Sequence, residues 1–291
     1  MTAPVDGGPP PRLQAVHLGK EFEQPRLGRR ITVLDDLTLA VGRGEFLALV
    51  GPSGCGKTTL LHVLDGLVPP TRGQVLIDGQ RASALGRERA MVFQDAALLP
   101  WRTTVENIAY GLECLDVRRP DALAAARRWL TAVGLEGFGE HYPHELSGGM
   151  QQRVNLARAL AVEPAILLMD EPFASLDAQT RETMQAEFLR IWARTAKTVV
   201  FVTHMISEAL YLADRVVVLT GRPARVQETI AVELPRPRDH SVRRTAWFRD
   251  CEDHVRELLS AVAPPDRVRG AGAAELSSGD GAGRASPRGR A

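Results

Sequence analysis

A nine-residue glycine-rich segment, Gly51–Thr59 (GPSGCGKTT), constrains the fold of this chain more than any other feature. It matches the pattern G-x-x-x-x-G-K-[ST], follows an apolar run typical of a buried strand, and precedes a helical pattern. The glycines allow main-chain N–H groups to converge on phosphate oxygens, and the helix start adds a partial positive charge. A chance glycine-rich turn is the alternative, but the flanking strand and helix weigh against it. The segment therefore predicts an α/β fold built around a phosphate-binding loop (P-loop).

Every residue of this loop is a candidate nucleotide-binding residue: Gly51, Pro52, Ser53, Gly54, Cys55, Gly56, Lys57, Thr58 and Thr59. We expect Lys57 to contact the β- and γ-phosphates of a nucleoside triphosphate and the Thr58 hydroxyl to ligate Mg²⁺. Cys55 lies close to the helix start, where the local field favours a thiolate, so it is expected to be reactive. The alternative for Cys55 is a small buried residue that happens to be cysteine.

The composition limits what else the chain can be. With 36 Lys and Arg against 35 Asp and Glu, the net charge of +1 gives no electrostatic reason to expect nucleic acid as a partner. No apolar run approaches the 18 residues of a membrane span, and the three cysteines have neither metal-binding nor disulfide spacing, which suits a reducing cytosol. Residues 1–11 and 263–291 are predicted to be disordered, which leaves 12–262 as the folded domain.

The regions flanking the loop differ in character. Strand patterns at Leu13–Leu18 and Ile31–Val41, separated by a polar loop at Glu23–Arg30, predict a small antiparallel sheet beside the nucleotide core. Residues from about 100 to 162 change to helical periodicity and predict a helical subdomain inserted into the core. Residues from about 222 to 262 form a C-terminal extension that ends in an amphipathic helix.

Acidic and imidazole side chains follow two further apolar runs. Ala165–Met169 is typical of a central parallel strand, and it leads directly into Asp170 and Glu171. We expect Asp170 to bind Mg²⁺ and Glu171 to polarise the attacking water. His204 follows the apolar run Thr198–Thr203, from which its side chain would reach the γ-phosphate. The alternatives are a solvated acidic turn and a structural histidine.

Gln94 ends another predicted strand and is a candidate ligand of Mg²⁺ or of the attacking water. From Gln94, the segment Asp95–Thr104 leads into the helical region. Within it, Leu98-Leu99-Pro100-Trp101 is unusually apolar for a connection, and tryptophan is a frequent anchor of protein–protein contacts. This segment therefore predicts a docking surface, with packing of Leu98 and Trp101 into the helical subdomain as the alternative.

A second anion-binding pattern is present at Ser147-Gly148-Gly149. Serine opens a predicted helix there, and the two glycines leave its first N–H groups unobstructed. A chain that contains a complete P-loop needs no second phosphate site of its own. In a head-to-tail dimer, however, Ser147 of one copy would contact the γ-phosphate bound by the other. An ordinary serine-capped helix is the alternative.

Together these motifs resemble those of the ATP-binding cassette (ABC) family. The P-loop is similar to its Walker A motif, Ile166–Asp170 with Glu171 to its Walker B strand and catalytic base, and Leu146–Met150 to its signature. The resemblance covers roughly residues 12–262, with the motifs in the family's order. It implies that the chain binds ATP and Mg²⁺ and hydrolyses ATP.

Four further residues resemble functional positions of that family. Gln94 corresponds to the Q-loop, His204 to the switch histidine, and Asp177 to the D-loop. The resemblance implies catalytic roles for Gln94 and His204 and a contact of Asp177, in trans, with the site of the second copy. Phe22 lies where the family places an aromatic ring on adenine, and a core or loop phenylalanine is the alternative.

A finer resemblance is to the ATPase subunits of nitrate, sulfonate and taurine importers. It is based on Val92-Phe93-Gln94, on Leu98-Leu99-Pro100-Trp101 and on Leu234-Pro235-Arg236-Pro237-Arg238. It implies a homodimer at the cytoplasmic face of the membrane, two membrane subunits and a separate solute-binding protein that selects the substrate. A soluble ABC ATPase of DNA repair or translation and an exporter ATPase are the alternatives.

Overall fold

The computed structural model describes residues 10–24 and 28–262. The disorder predicted for residues 1–11 and 263–291 falls outside these ranges, except at Pro10 and Pro11, which have no regular secondary structure. In the described ranges the chain forms ten β-strands and seven α-helices. The strands are β1 (Leu13–Gln24), β2 (Arg29–Val41), β3 (Phe46–Val50), β4 (Arg72–Ile77), β5 (Gln80–Arg81), β6 (Arg89–Val92), β7 (Ile166–Asp170), β8 (Thr198–Val202), β9 (Arg215–Leu219) and β10 (Val226–Ala231). The helices are α1 (Lys57–Asp65), α2 (Thr104–Cys114), α3 (Arg119–Ala132), α4 (Gly148–Ala161), α5 (Ala178–Thr195), α6 (Ile206–Leu212) and α7 (Ala246–Val262).

The main sheet has the strand order β10-β9-β3-β8-β7-β6. All of its pairings are parallel except that of β10 with β9. Every residue of β3, β7 and β8 is buried, which explains why these strands are continuous apolar runs in the sequence. Because these strands run in one direction, the P-loop, Asp170 and His204 all lie at the same edge of the sheet.

A second, antiparallel sheet lies beside the first, with the order β2-β1-β4-β5. Asp78 and Gly79 connect β4 to β5 with positive φ angles of 51° and 79°, which is the left-handed geometry that an Asp-Gly hairpin turn requires. The prediction of a loop at Glu23–Arg30 is wrong at both ends, because Glu23 pairs with Arg30, and Gln24 with Arg29, between strands β1 and β2. Strand β1 is therefore longer than predicted, since cross-strand pairing stabilises a stretch whose polarity alone suggests a loop.

Helices α2, α3 and α4 pack around their own apolar cluster, which includes Ile108, Ala126 and Val154. They lie between β6 and β7 in the chain. Together with their connections they span residues 104–161, inside the range predicted for the helical subdomain. The structure therefore confirms the predicted fold class, an α/β P-loop core with a small antiparallel sheet and an inserted helical region.

Two arginines attach the C-terminal segment to α5 and to the C-terminal end of α6. The buried Arg238 guanidinium donates to the carbonyls of Tyr211 and Ala213, at 3.1 and 2.6 Å, and burial lowers the pKa of Arg238 to about 10. The Arg236 guanidinium lies 4.2 Å from the centre of the Trp192 ring, in a cation–π contact. Helix α7 is amphipathic, as predicted, and buries Phe248 and Val255. Among the described residues, no helix is both long and apolar enough to cross a membrane.

Candidate active site

The site forms where β3, β7 and β8 end at one edge of the main sheet. Main-chain hydrogen bonds continue beyond the strands: Glu171 N–H donates to the Val202 carbonyl at 2.9 Å, and Thr203 N–H donates to the Leu49 carbonyl at 3.2 Å. These bonds hold the residues that follow each strand against their neighbours. The sheet therefore brings Glu171 and His204 to the P-loop, although they are more than 100 residues away from it in sequence.

The P-loop encloses its own lysine. Lys57 is the first residue of α1, and its Nζ atom donates to the carbonyls of Gly51 and Pro52, at 2.8 and 3.0 Å. Gly56 has a φ of 122°, and a Cβ atom there would lie 2.8 Å from Cγ1 of Val33 on β2. Only glycine fits this position, because the loop turns back against β2 before α1 begins.

A cavity of about 510 Å³ lies over the loop. Its lining residues come from three strand ends and from the turn after β9: Ser53, Gly54, Gly56, Lys57, Thr58, Thr59, Glu171, His204 and Arg222. The structure thus brings together six of the predicted loop residues with both predicted catalytic residues of β7 and β8. A cavity with a buried ammonium group, a helix start and a carboxylate is suited to a phosphate chain and an attacking water.

Asp170 and Thr58 suit the Mg²⁺ ion that accompanies a nucleoside triphosphate. Asp170 is only 8% exposed, and Thr58 is the side chain that most opposes the effect of this burial on the pKa of Asp170. Burial raises the pKa of Asp170, and the adjacent Glu171 charge raises it further. A bound cation would offset both effects. Among the described residues no cluster of His, Cys, Asp and Glu could hold a metal on its own, so phosphate oxygens and water would complete the Mg²⁺ shell.

Glu171 and His204 are in direct contact. The Nδ1 atom of His204 lies 2.7 Å from Oε2 of Glu171, a hydrogen-bond distance. Glu171 also has a φ of 45°, in the left-handed region that side-chain-bearing residues rarely adopt. Such a backbone costs about 1 kcal/mol or more. The carboxylate and the imidazole therefore form one unit at the cavity wall.

A buried network holds the residues next to His204. The Thr203 hydroxyl donates to the Glu208 carboxylate and accepts from Met205 N–H at 3.0 Å. Gln185 of α5 donates to the other oxygen of Glu208 at 2.8 Å. Burial raises the pKa of Glu208. Because these hydrogen bonds fix Thr203 and Met205, the residues on either side of His204, the imidazole extends from a rigid turn.

Cys55 does not fulfil the prediction of a reactive thiolate. Its side chain is 1% exposed and packs in the apolar cluster that includes Val33, Leu219 and Ala224. Burial raises the pKa of the Cys55 thiol and outweighs the opposite effect of the Lys57 charge. The prediction was wrong because it located Cys55 along the loop but could not tell that its side chain points into the core. The alternative, a small buried residue, holds.

We therefore expect maleimide to modify Cys55 at least ~10-fold more slowly than the exposed Cys114. The measurement is a time course of native protein with peptide mass spectrometry, and the urea-unfolded protein serves as the control in which both thiols react at similar rates. Rapid modification of Cys55 in the native protein would contradict its burial.

The Ser147-Gly148-Gly149 segment lies away from the P-loop cavity. Helix α4 begins after Ser147, as predicted, and the Ser147 hydroxyl accepts from Met150 N–H at 3.3 Å. A separate cavity of about 290 Å³ adjoins it, and its lining shares no residue with the first cavity. Its lining residues are Gly134, Leu135, Phe138, Ser147, Gly149, Met150, Arg153 and Thr180. Within one copy of the chain, the two predicted phosphate-binding motifs therefore do not meet.

Asp177, Phe22 and Gln94 also lie outside the P-loop cavity lining, as do the predicted site residues Gly51, Pro52, Cys55 and Asp170. The Asp177 carboxylate caps α5 and accepts from the N–H groups of Gln179 and Thr180 at 3.1 and 3.0 Å, and the Thr180 hydrogen bonds lower the pKa of Asp177. Phe22 is half-exposed, and the Lys20 ammonium lies 4.8 Å from its ring centre. Gln94 is exposed after β6. Their contacts with nucleotide remain predictions.

Arg222 lines the P-loop cavity although no sequence motif singled it out. Its Nη2 atom donates to the Gly54 carbonyl at 3.0 Å. Sequence reasoning missed it because nothing local shows that β9 lies beside β3. One sequence feature could have indicated Arg222: it lies shortly after a buried strand, as Glu171 and His204 do.

Comparisons with known proteins identify the class to which this fold and site belong. The sequence profile described as ABC transporter matches residues 34–174. An uncharacterized ABC transporter ATP-binding protein of Methanocaldococcus jannaschii is 51% identical over 230 residues, which are 79% of this chain and 85% of that protein. A taurine import ATP-binding protein of Pseudomonas aeruginosa strain UCBPP-PA14 is 47% identical over 225 residues, 77% of this chain and 85% of that protein.

A solved structure matches as well. The dimeric post-hydrolysis structure of an ATP-binding cassette bound to ADP and phosphate superposes with a TM-score of 0.67 at 31% identity. The match covers 77% of this chain and all of that one. The chain therefore belongs to the ABC transporter ATP-binding proteins, and the resemblance inferred from its motifs is confirmed. It is an ATPase of the family that hydrolyses ATP to power transport.

Proposed function

We propose that this protein is the ATP-hydrolysing subunit of an importer for taurine or another small solute of the nitrate and sulfonate type. The observation that carries this proposal is the 47% identity to a taurine import ATP-binding protein over 77% of the chain. In this proposal two copies bind two membrane subunits from the cytoplasmic side, and a separate solute-binding protein delivers the substrate. The exporter and soluble ATPase alternatives have no comparable support among the relatives described above.

The separation of the two cavities supports a dimer. Lys57, Glu171 and His204 line the P-loop cavity, while the Ser147 cavity adjoins the start of α4 and is lined by no lysine. Two copies arranged head to tail would join each P-loop to the Ser147 segment of the other copy. Exposure of Ser147 and Gly148 is consistent with this arrangement. The dimeric solved relative supports it independently.

In the proposed mechanism, the P-loop amides and Lys57 bind the triphosphate and hold its terminal phosphate near the catalytic pair. Mg²⁺, held by Thr58 and Asp170, would neutralise phosphate charge. Glu171 accepts a hydrogen bond from the attacking water and orients it, and His204 fixes the Glu171 carboxylate through its 2.7 Å contact. Ser147 of the second copy would donate to the γ-phosphate and exclude bulk water.

The proposed function is tested by reconstituting the protein with its co-expressed membrane subunits in proteoliposomes. We expect the solute-binding protein loaded with taurine or a related sulfonate to stimulate ATP hydrolysis and solute uptake, whereas the unloaded binding protein does not. Hydrolysis that drives solute out of the liposomes, or that never responds to a loaded binding protein, would contradict an import function.

The segment around Trp101 has the properties of a preformed docking surface. Trp101 is 70% exposed, whereas Leu98 packs against the apolar cluster of the helical region. The buried Asn107 side chain holds the loop, because it accepts from Leu99 N–H at 2.7 Å and donates to the carbonyls of Leu99 and Arg102 at 3.1 and 3.0 Å. The packing alternative therefore applies to Leu98 and not to Trp101.

We expect Trp101→Ala to weaken binding to the membrane subunits about 30-fold, the ~2 kcal/mol of an interface hot spot, and to abolish uptake. ATP binding and basal hydrolysis by the free protein should change little, because the Trp101 side chain contributes little to the core. The measurement is co-purification with the membrane subunits alongside the thermal unfolding of the free protein.

Leu85→Ala is the matched control. Leu85 is also 70% exposed, but it lies in the connection between β5 of the small sheet and β6 of the main sheet. It should leave docking unchanged. A stable Trp101→Ala protein that docks and supports uptake at the normal level would contradict the role assigned to Trp101.

A further inference from the structure

The turn after β9 is held rigidly beside the P-loop. Strand β9 pairs in parallel with β3, the strand that leads into the loop. Beyond it, the Thr220 hydroxyl oxygen lies 3.1 Å from the carbonyl oxygens of both Gly221 and Pro223, which share its single proton, and it accepts from Arg225 N–H at 2.8 Å. Ala224 N–H donates to the Val33 carbonyl on β2 at 2.8 Å. Arg222 therefore projects from a turn whose backbone is fixed on both sides.

The Arg222 guanidinium lines the cavity and forms no ion pair with any carboxylate of the described residues. Its Nη2 atom donates to the Gly54 carbonyl at 3.0 Å, and its side chain shares the cavity lining with Lys57, Glu171 and His204. Over residues 10–24 and 28–262, no carboxylate lies within ion-pair distance of Arg222. A neutral carbonyl is a weaker acceptor for a guanidinium than a phosphate oxygen.

Arg225, in the same turn, provides a comparison, because it forms the ion pair that is usual for a surface arginine. Its guanidinium pairs with the Asp35 carboxylate, which Arg72 also contacts at 2.9 Å. Arg225 is absent from the cavity lining. Both arginines are exposed and lie three residues apart, yet Arg225 is neutralised by Asp35 while Arg222 contacts the phosphate-binding loop.

We propose that Arg222 is a nucleotide-binding residue whose guanidinium contacts the terminal phosphates of ATP bound in the P-loop cavity. The proposal rests on the placement of ATP in that cavity. A guanidinium stays charged at every physiological pH and presents parallel N–H groups that match two phosphate oxygens. Lys57 supplies a single ammonium from within the loop, and Arg222 adds a second cation from the rim. On release of the nucleotide, the guanidinium returns to the Gly54 carbonyl.

The test compares the affinities of MgATP and AMP for the Arg222→Gln, Arg222→Lys and wild-type proteins. We expect Arg222→Gln to bind MgATP about 10-fold more weakly, the scale of one charge-assisted hydrogen bond, and to bind AMP within about 2-fold of wild type. Arg222→Lys should be intermediate, because it keeps the charge and loses the paired N–H groups. Arg225→Gln is the matched control and should bind both ligands as wild type does.

A role confined to clamping the loop through Gly54 would give a different result. It would weaken MgATP and AMP equally and would speed maleimide modification of Cys55 in the nucleotide-free protein, because the loop would open. That outcome, or an unchanged MgATP affinity of Arg222→Gln, would overturn the proposal. The Lys57→Ala protein distinguishes a failure of the Arg222 proposal from a failure of the proposed ATP site. Unchanged MgATP binding by Lys57→Ala would contradict ATP binding at the P-loop.

Discussion

Replacement of Glu171 by Gln is expected to slow ATP hydrolysis at least ~100-fold while leaving MgATP binding close to that of the wild type. The carboxylate at the cavity wall accepts a proton from the attacking water or orients it, and an amide of the same shape does neither well. The Glu171 carboxylate donates no hydrogen bond to phosphate, whereas Lys57 and the loop amides do, so its loss should affect the chemical step and not binding. The measurement is phosphate release at saturating MgATP together with nucleotide titration.

Glu163→Gln provides a matched control for this substitution. Glu163 also has a left-handed backbone, with a φ of 53°, but it is exposed after α4 and is absent from the cavity lining. This control should hydrolyse ATP at the wild-type rate, which would show that the chemistry of the side chain, and not the backbone strain, determines the loss. Near-normal turnover by Glu171→Gln would remove Glu171 from the catalytic role.

The second large effect is complementation between two inactive proteins. Lys57→Ala should abolish triphosphate binding, and Ser147→Arg should block the segment that completes the site of the other copy. Each protein alone should be inactive. When they are mixed equally, half of the dimers contain both kinds of chain, and one of the two sites in each is intact. If intact sites act independently, about a quarter of the wild-type activity should return.

A second mixture controls for non-specific recovery. In a dimer of Lys57→Ala with Glu171→Gln, each site contains one defect, because both residues belong to the P-loop side of the cavity. This mixture should stay inactive. Covalently linked pairs avoid slow subunit exchange, and thermal unfolding should show that Ser147→Arg is folded. Absence of recovery in linked Lys57→Ala and Ser147→Arg pairs would contradict a shared site with independently active halves.

The residues that sequence reasoning placed correctly share one local feature. Glu171 and His204 each follow a continuous apolar run, and such runs are central parallel strands whose ends meet at one edge. The P-loop follows a third such run. Since strand direction alone brings these ends together, the core of the candidate site could be predicted before the strand order was known.

The remaining features depend on contacts that local patterns do not contain. Arg222 reaches the P-loop because β9 lies beside β3, and strand order is a tertiary property. The direction of the Cys55 side chain is set by packing against β2 and β9, so its burial reversed the prediction of a thiolate. The length of β1 follows from pairing with β2, which overrides the polar character of Glu23 and Gln24.

The central claim, that two copies together form the ATP site, is tested most directly by the mass of the Glu171→Gln protein with and without MgATP. Slow hydrolysis should hold this variant in its ATP-bound state, because loss of the γ-phosphate is what would release the two copies. Light scattering should give the mass of one chain without nucleotide and of two chains with MgATP, and each dimer should retain two ATP molecules. A protein that stays monomeric at saturating MgATP, and whose wild-type form hydrolyses ATP fully as a monomer, would contradict the shared site.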